Sequence, residues 1–234
     1  AASEAAGKLR GLGLCYYIEA ILGSPEEGAK VEFHEDGTVS LYVGTQSNGQ
    51  GHETVYATFL SDQTGIPVES IRIVQGDSDL IARGGGTGGS RSVTVQTNVT
   101  LTAVSRMVEA FGAFLAEETG ADPAQIRFDE DRFRLPGTNQ TFSFLEAAER
   151  ARAAGRTDLL VTETRATLPG RSFPNGAHVA EVEIDPETGV LTLDRYTVAD
   201  DFGNLINPML AEGQVHGGVA QGIGQAVTEH VVFD

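Results

Sequence analysis

Residues 31–43 read Val31-Glu-Phe-His-Glu-Asp-Gly-Thr-Val-Ser-Leu-Tyr-Val43, and this stretch decides the fold. Apolar and polar residues alternate on both sides of Asp36-Gly37, which is the pattern of a β-hairpin with a tight turn. Gly44-Thr-Gln-Ser-Asn-Gly-Gln-Gly-His-Glu-Thr54 follows directly, and residues from His52 to about Thr64 carry apolar side chains at helical spacing. The sequence therefore predicts a hairpin that leads through a glycine-glutamine turn into a helix.

The same order of elements returns in the second half of the chain. Val182-Glu-Ile-Asp-Pro-Glu-Thr-Gly-Val-Leu-Thr-Leu193 repeats the hairpin pattern, and Asp201-Phe-Gly-Asn-Leu-Ile-Asn-Pro208 then leads to Gly213-Gln214. Two hairpins can look alike by chance, but the shared downstream order favours a duplication. We expect a first lobe over residues 1–154 and the start of a second lobe over residues 155–234.

The patterns between the two hairpins predict five further elements. They begin with a short strand at Ile71 to Gln75 and a long helix that follows a glycine run and ends near Glu118. A pair of strands at Ile126 to Leu135 and a short helix at Phe142 to Ala153 come next. Asp122-Pro123 is a start signal that separates the long helix from the elements after it.

Composition bounds the classes of function. With 234 residues, 40% of them hydrophobic and 21% charged, the chain has the profile of a globular domain with a large core. We predict no membrane span, because no apolar stretch approaches the necessary length. The net charge of −17 argues against nucleic acid as a partner. The single Cys15 excludes an internal disulfide, fits a reducing, cytoplasmic compartment, and is expected to be a small buried side chain.

The glycine run Gly84-Gly-Gly-Thr-Gly-Gly-Ser-Arg-Ser92 has five glycines in its first six positions. Backbone without Cβ atoms can approach a ligand closely, and successive N–H groups can surround an anion. Ser90 and Ser92 can donate hydroxyl hydrogen bonds, and Arg91 can contact a phosphate through two N–H groups. A flexible surface loop is the alternative. A dinucleotide fingerprint is disfavoured, because Gly76 to Arg83 separates the preceding strand from the glycines.

The two glycine-glutamine turns supply further ligand-binding groups. The first offers Gln50, the N–H of Gly51, and His52, with an ordinary helix start as the alternative. In the second, Gln214 is expected near a helix start, with a glycine-rich helix packed tightly against a neighbour as the alternative. The histidines show no metal-ligand spacing, and no nucleophile elbow or P-loop is present. The residues therefore indicate no side-chain metal ligand and no candidate catalytic residue.

Three motifs together resemble the molybdenum hydroxylases, which include xanthine dehydrogenase, aldehyde oxidase and the aerobic carbon monoxide dehydrogenase large subunit. They are Gly49-Gln-Gly-His-Glu-Thr54, Gly86-Thr-Gly-Gly-Ser-Arg-Ser92, and Asp201-Phe-Gly-Asn-Leu-Ile-Asn-Pro208 with Gly213-Gln214. The first two are most similar to the carbon-monoxide-dehydrogenase-like branch. The motifs stand in the family's order and cover nearly the whole chain.

The resemblance implies an α+β fold of two duplicated lobes that bind a molybdopterin-type molybdenum cofactor, in bacteria commonly its cytosine dinucleotide form. It implies cofactor contacts from the first loop (Gln50, Gly51, His52), from the second loop (Gly89, Ser90, Arg91, Ser92) and from Gln214. It further implies that the full enzyme is an oxidoreductase that hydroxylates an aldehyde, a purine-type or a CO-type substrate. Iron–sulfur and FAD subunits or domains would take the electrons, and a homo-oligomer is compatible with it.

The family's catalytic glutamate is expected in a Gly-Glu motif beyond Asp234, so we predict that this chain alone is an inactive fragment. The cofactor is expected in the parent enzyme and not in the isolated fragment. Two alternatives stay open. One is a non-catalytic acidic binding or assembly module that carries a phosphate-ligand loop. The other is a different phosphate-ligand enzyme built on residues 84–92. Clustering of Gln50, Ser90, Arg91 and Gln214 would favour the cofactor-binding interpretation, and scattering of these residues would favour the module.

Overall fold

The computed structural model describes residues 2–21, 23–135 and 137–233. In chain order its elements are α1 (Ala2–Ala5), β1 (Leu9–Ile18), β2 (Glu26–Phe33), β3 (Val39–Val43), α2 (His52–Thr64), β4 (Ile71–Val74), α3 (Ser92–Thr119), β5 (Arg127–Asp129), β6 (Arg132–Arg134), β7 (Thr141–Phe142), α4 (Phe144–Ala153), β8 (Val161–Thr167), β9 (Asn175–Ile184), β10 (Leu191–Asp201) and α5 (Pro208–Val227). The predicted α+β class is confirmed, and each predicted helix and strand is present. The hairpin strands extend beyond their predicted ends, β2 by five residues and β9 by seven residues at the start, and β10 by eight residues at the end.

The described residues form two compact units, one of residues 2–21 with 171–205 and one of residues 23–170 with 206–233. These units do not coincide with the predicted segments 1–154 and 155–234. The reason is a long-range pairing: Val31 of β2 lies opposite Thr162 of β8, so both sides of the predicted boundary share one sheet. The assignment of those segments to duplicated lobes stays a prediction.

The first unit is built on an antiparallel sheet with the strand order β1-β9-β10. The second predicted hairpin is confirmed here, since β9 and β10 pair and Ile184 lies opposite Leu191. Cys15 is exposed, and the prediction that it is buried is wrong. It lies on the edge strand β1, whose Leu12 and Leu14 are also more than 70% exposed.

The second unit contains a four-stranded sheet with the order β4-β3-β2-β8. The first predicted hairpin forms its centre, with Val31 opposite Leu41. At its turn Gly37 has φ of +79°, and the Asp36 carboxylate accepts a hydrogen bond from the Thr38 N–H at 3.0 Å. These local contacts explain why the Asp-Gly pair predicts the hairpin so well.

Helix α3 covers this sheet, and its apolar side forms the core. Phe111 has no exposed surface and packs against Phe33 and Phe144, with ring centroids 5.5 and 5.8 Å away. By length and composition α3 could also cross a membrane, so the prediction that no stretch has the necessary length is wrong. Half of its most apolar window is buried inside the unit, as in the core helix of a globular domain.

Candidate functional site

Two loops of the second unit, residues 44–51 and 84–92, are hydrogen-bonded to each other, and we call them the paired loops. The Gly86 N–H donates to the Gly44 carbonyl at 3.2 Å. The Gln46 N–H donates to the Thr87 hydroxyl oxygen at 3.0 Å, and that hydroxyl donates to the Gln46 carbonyl at 2.6 Å. The two segments from which the sequence predicts most cofactor contacts therefore lie side by side.

Glycine is required where the paired loops meet. A Cβ atom on Gly44 would lie 2.5 Å from the Gly84 Cα, and a Cβ on Gly84 would lie 2.2 Å from the Gly44 carbonyl oxygen. Such distances are far below van der Waals contact, and both obstacles are backbone atoms that a rotamer change cannot move. These two glycines allow the backbones to touch.

The side chain of Arg91 folds back beneath Gly85 and Gly86, and the residue is only 1% exposed. Its Nε donates to the Ser24 carbonyl at 2.8 Å, its Nη2 donates to the Glu26 carbonyl at 2.9 Å, and its Nη1 donates to the Gly86 carbonyl at 2.6 Å. Nη1 also contacts the Glu27 carboxylate at 2.9 Å. The predicted two-pronged contact from this guanidinium to a phosphate therefore does not fit the geometry, because its N–H groups bind the protein itself.

The helices that leave the paired loops begin without side-chain caps. The cap position of α2 is Gly51, with φ of +79°, and that of α3 is Arg91; neither position makes a side-chain cap hydrogen bond. By contrast, Ser143 caps α4 and Asn207 caps α5. First-turn N–H groups and the positive end of the helix dipole at α2 and α3 thus suit an anionic group.

His52 is the first residue of α2, and it is neither the cap nor the exposed side chain that an ordinary helix start would have. It is only 2% exposed, and its Nδ1 has no hydrogen-bond partner among the described residues. Its ring lies 5.1 Å from the ring of Tyr56. A buried polar atom without a partner costs about 1–3 kcal/mol, so this nitrogen is a candidate hydrogen-bonding group beside the paired loops.

We expect His52 to make the stability of the chain dependent on pH. Burial lowers the pKa of His52 below its ordinary value of 6.5. The unfolded chain then binds this proton more readily, so stability is complete above that value and falls as the pH drops below it, by up to about 1.4 kcal/mol per pH unit. Urea unfolding at pH 7.5, 6.5 and 5.5 should show a smaller fall for His52→Phe. The exposed-site control His216→Gln should keep the wild-type fall, and equal falls in all three proteins would contradict the assignment.

The remaining predicted residues of the paired loops lie at their surface or just beneath it. Gly89 and Ser90 are exposed and have φ of +60° and +57°. Ser92 is largely buried and lies 3.3 Å from the Thr87 hydroxyl. Gln50 is half-buried, and its Oε1 accepts a hydrogen bond from the Asn48 N–H at 2.5 Å.

Gln214 is exposed and is the seventh residue of α5, about 9 Å along the axis from its first residue. The expectation that it lies at a helix start is therefore wrong. Its neighbour Gly213 has open space where a Cβ would stand, as have Gly217 and Gly218, so tight packing of this helix face is not seen among the described residues. Leu210, one turn before Gln214, lies directly against Gly51, where a Cβ would come within 2.8 Å of its side chain.

The structure therefore brings the predicted residues together in part. Gln50, Gly51 and Ser90 lie on the paired loops, and Gln214 is one helical turn from a residue that contacts Gly51. Arg91 belongs to the support of the loops. Among the described residues, no group of three or more His, Cys, Asp or Glu lies together as a metal site.

Sequence reasoning missed Glu27, which is buried at 3% exposure beneath the glycine run. A signal was available. In β2, burial alternates, and Glu27 occupies the same inward-facing series as Ala29, Val31 and Phe33. A carboxylate on the apolar side of a strand is expensive to bury without partners, so its position indicates a specific structural or functional requirement.

Comparison with known proteins gives a family and a set of relatives. A family model described as "Molybdopterin cofactor-binding domain" matches residues 1–234. The carbon monoxide dehydrogenase large chain of Afipia carboxidovorans is 30% identical over 242 residues, a region that covers 97% of this chain and 30% of that protein. The 6-hydroxypseudooxynicotine dehydrogenase complex subunit gamma of Paenarthrobacter nicotinovorans is 33% identical over 237 residues. That region covers 99% of this chain and 30% of that protein.

A solved structure shows the same likeness in three dimensions. A crystal structure of the Cu,Mo-CO dehydrogenase in its carbon monoxide reduced state superposes with a TM-score of 0.89 at 29% identity, and the match covers 100% of this chain and 32% of that chain. The chain thus spans about 30% of the length of the curated relatives that it matches. None of these likenesses supports a non-catalytic assembly module.

Proposed function

The chain belongs to the molybdopterin cofactor-binding domain family, and from this premise we propose that its paired loops hold a molybdopterin-type molybdenum cofactor. The resemblance to the molybdenum hydroxylases that the motifs indicate is thereby confirmed. One observation carries the choice of site. Among the residues that the structure describes, none makes a hydrogen bond to the buried Nδ1 of His52, which lies at the start of a helix without a side-chain cap and beside a second uncapped helix.

The donors present fit such a group. A phosphate would accept hydrogen bonds from main-chain N–H groups at the starts of α2 and α3, where the helix dipoles favour negative charge. Gln50, Gly51 and His52 would act from the first loop, and Gly89, Ser90 and Ser92 from the second. Arg91 would contribute through its main chain and by supporting the loop.

When bound, a molybdenum cofactor supplies the redox-active metal at which substrate is oxidised, and the residues of this chain supply position and hydrogen bonds. The uncapped N–H groups and the buried His52 nitrogen are directional donors or acceptors, so they fix the orientation of a polar ring or phosphate. Packing of Tyr56 and Leu210 around them restricts water on that side.

For the longer protein we propose the large subunit of a molybdenum hydroxylase, an oxidoreductase of the cytoplasm. We assign iron–sulfur and FAD subunits or domains as its electron-accepting partners, a small aldehyde, purine-type or CO-type molecule as its substrate, and the cytosine dinucleotide form as its cofactor. Assembly into a homo-oligomer is compatible with these assignments. The residues assigned to the site hold and orient the cofactor, and none of them is assigned a catalytic role, so we propose that this chain is inactive on its own.

The experiment that tests the proposed function measures the cofactor directly. The longer protein that contains this chain is produced in a bacterial host that synthesises molybdopterin, purified, and assayed for molybdenum and for the fluorescence of the oxidised pterin. We expect both in the wild-type protein. Purified wild-type protein with no pterin, obtained from a host whose own molybdenum enzymes are loaded, would overturn the proposal.

In the longer protein, Gln214→Ala should lower the retained pterin about tenfold, which is the effect of losing one hydrogen bond worth about 1.4 kcal/mol. Gln221→Ala is the matched control, since Gln221 is also exposed on α5 and lies two turns further from Leu210. We expect it to retain wild-type amounts. Equal loss in the two variants, or no loss in either, would remove Gln214 from the site.

A further inference from the structure

We infer that Glu27 is a positioning residue whose buried carboxylate sets the shape of the glycine run. The inference rests on the proposed function, which assigns the paired loops to the cofactor, and it deepens that function by naming what shapes them. Glu27 would not touch the cofactor itself. It lies at the start of β2 and acts through Gly85 and Arg91.

The carboxylate of Glu27 accepts hydrogen bonds from two sides. On one side are main-chain N–H groups: that of Gly28 at 3.0 Å, and that of Gly85 at 3.1 and 3.3 Å from the two carboxylate oxygens. On the other side is Nη1 of Arg91 at 2.9 Å, which in turn donates to the Gly86 carbonyl at 2.6 Å. One carboxylate thus connects strand β2, the glycine run and the residue before α3.

The glycines are matched to this pair of charges. A Cβ on Gly44 would lie 2.1 Å from Oε1 of Glu27, and a Cβ on Gly85 would lie 2.4 Å from Nη2 of Arg91. The backbone of the paired loops therefore passes directly over the ion pair, at a distance that only glycine allows. Moving or removing the carboxylate would leave a gap beneath Gly44 and an unpaired N–H on Gly85.

Stability alone does not explain a charged pair at this position. Both side chains are at most 2% exposed, and taking two charges out of water offsets most of their attraction. Apolar residues of similar volume often stabilise a protein as well as a buried pair does. Only an ionised carboxylate, however, accepts from a guanidinium and from two main-chain N–H groups together, because an amide would direct its own donors at one of them. The ion pair of Glu27 and Arg91 therefore fixes the position of the glycine run.

The test compares three variants of the whole chain. Glu27→Gln removes the negative charge. Glu27→Gln/Arg91→Met removes both charges, so that no unpaired charge is left to unfold the protein. Glu35→Gln is the control, since it makes the same chemical change at an exposed position in the turn of the same hairpin. Backbone amide signals of the glycine run are recorded by NMR on this chain without cofactor. Thermal stability is measured on the same chain, and retained pterin is measured on the longer protein that contains it.

We expect the amide signal of Gly85 to move in both Glu27 variants, together with those of Gly86, Gly88 and Gly89, while signals of β2 and β3 away from the site stay unchanged. Retained pterin should fall at least tenfold in both variants. The double variant should recover most of the thermal stability that Glu27→Gln loses, without recovering pterin. Glu35→Gln should match the wild type in every measurement.

Two results would overturn the inference. One is a Gly85 amide signal that is the same in wild type and double variant. The other is a double variant that regains stability and pterin together, since the pair would then act only as part of the core. If the longer wild-type protein retains no pterin but the Gly85 signal moves in the Glu27 variants as expected, the proposed function is overturned and Glu27 is still supported as the residue that shapes the loop.

Discussion

Replacing Gly44 by alanine should destabilise the second unit by about 3 kcal/mol, although it adds a single methyl group. The new Cβ would lie 2.1 Å from Oε1 of Glu27 and 2.5 Å from the Gly84 Cα. The carboxylate is held by three donors and the other obstacle is backbone, so neither can move by a simple rotation. The paired loops must separate, or Glu27 must leave its partners.

Gly88→Ala is the control for this prediction. Gly88 lies in the same glycine run, its φ is outside the region that favours glycine, and a Cβ there would meet nothing within 4 Å. We expect a change below about 0.5 kcal/mol, as for other surface substitutions. The free energy of unfolding of the wild type and the two variants is measured with urea. A Gly44→Ala chain as stable as Gly88→Ala would show that the paired loops are not in contact.

Phe111→Ala should destabilise the second unit by about 3–5 kcal/mol. The ring has no exposed surface and lies at the centre of an aromatic group, with Phe33 at 5.5 Å, Phe144 at 5.8 Å and Phe133 at 6.4 Å between centroids. Its removal leaves a cavity between α3, the sheet and α4. Each of these elements is held by further contacts, so they can close the cavity only in part.

Leu101→Ala tests whether the loss is due to the core. Leu101 lies on the same helix but is 42% exposed, and alanine is at least as favourable in a helix. We expect a loss of about 1 kcal/mol or less. Because the chain has two compact units, unfolding should be followed by two probes, and similar losses for the two variants would place Phe111 outside the core.

The parts of the fold that depend on neighbouring residues could be predicted from the sequence. Helix α2 spans His52–Thr64, the predicted range, because Gly51 and Gly65 lie on either side of it with positive φ and stop the helical pattern. The two hairpins are present for a similar reason, since their turns are formed by contacts within a few residues. A short window of sequence contains all the residues that determine such elements, so they can be predicted without knowledge of distant contacts.

The parts of the structure that depend on distant residues could not be predicted from the sequence. Arg91 reads as a ligand-binding side chain in its own motif, but its partner Glu27 is 64 positions earlier and turns it inward. Strand β8 joins the sheet of β2 through a pairing across more than a hundred residues, which no local pattern indicates. Whether Cys15 is buried or exposed depends on which elements pack against its edge strand, and the neighbouring sequence does not indicate those elements.

The hydrogen bonds of the paired loops have a consequence for the rates of binding. Ordering a flexible backbone costs about 1–2 kcal/mol per residue, and here folding has already set these loops through their bonds to Thr87, Glu27 and Arg91. A ligand therefore meets a preformed surface and loses little conformational entropy there. Association should then be limited by diffusion and orientation, and differences in affinity among site variants should appear as differences in residence time.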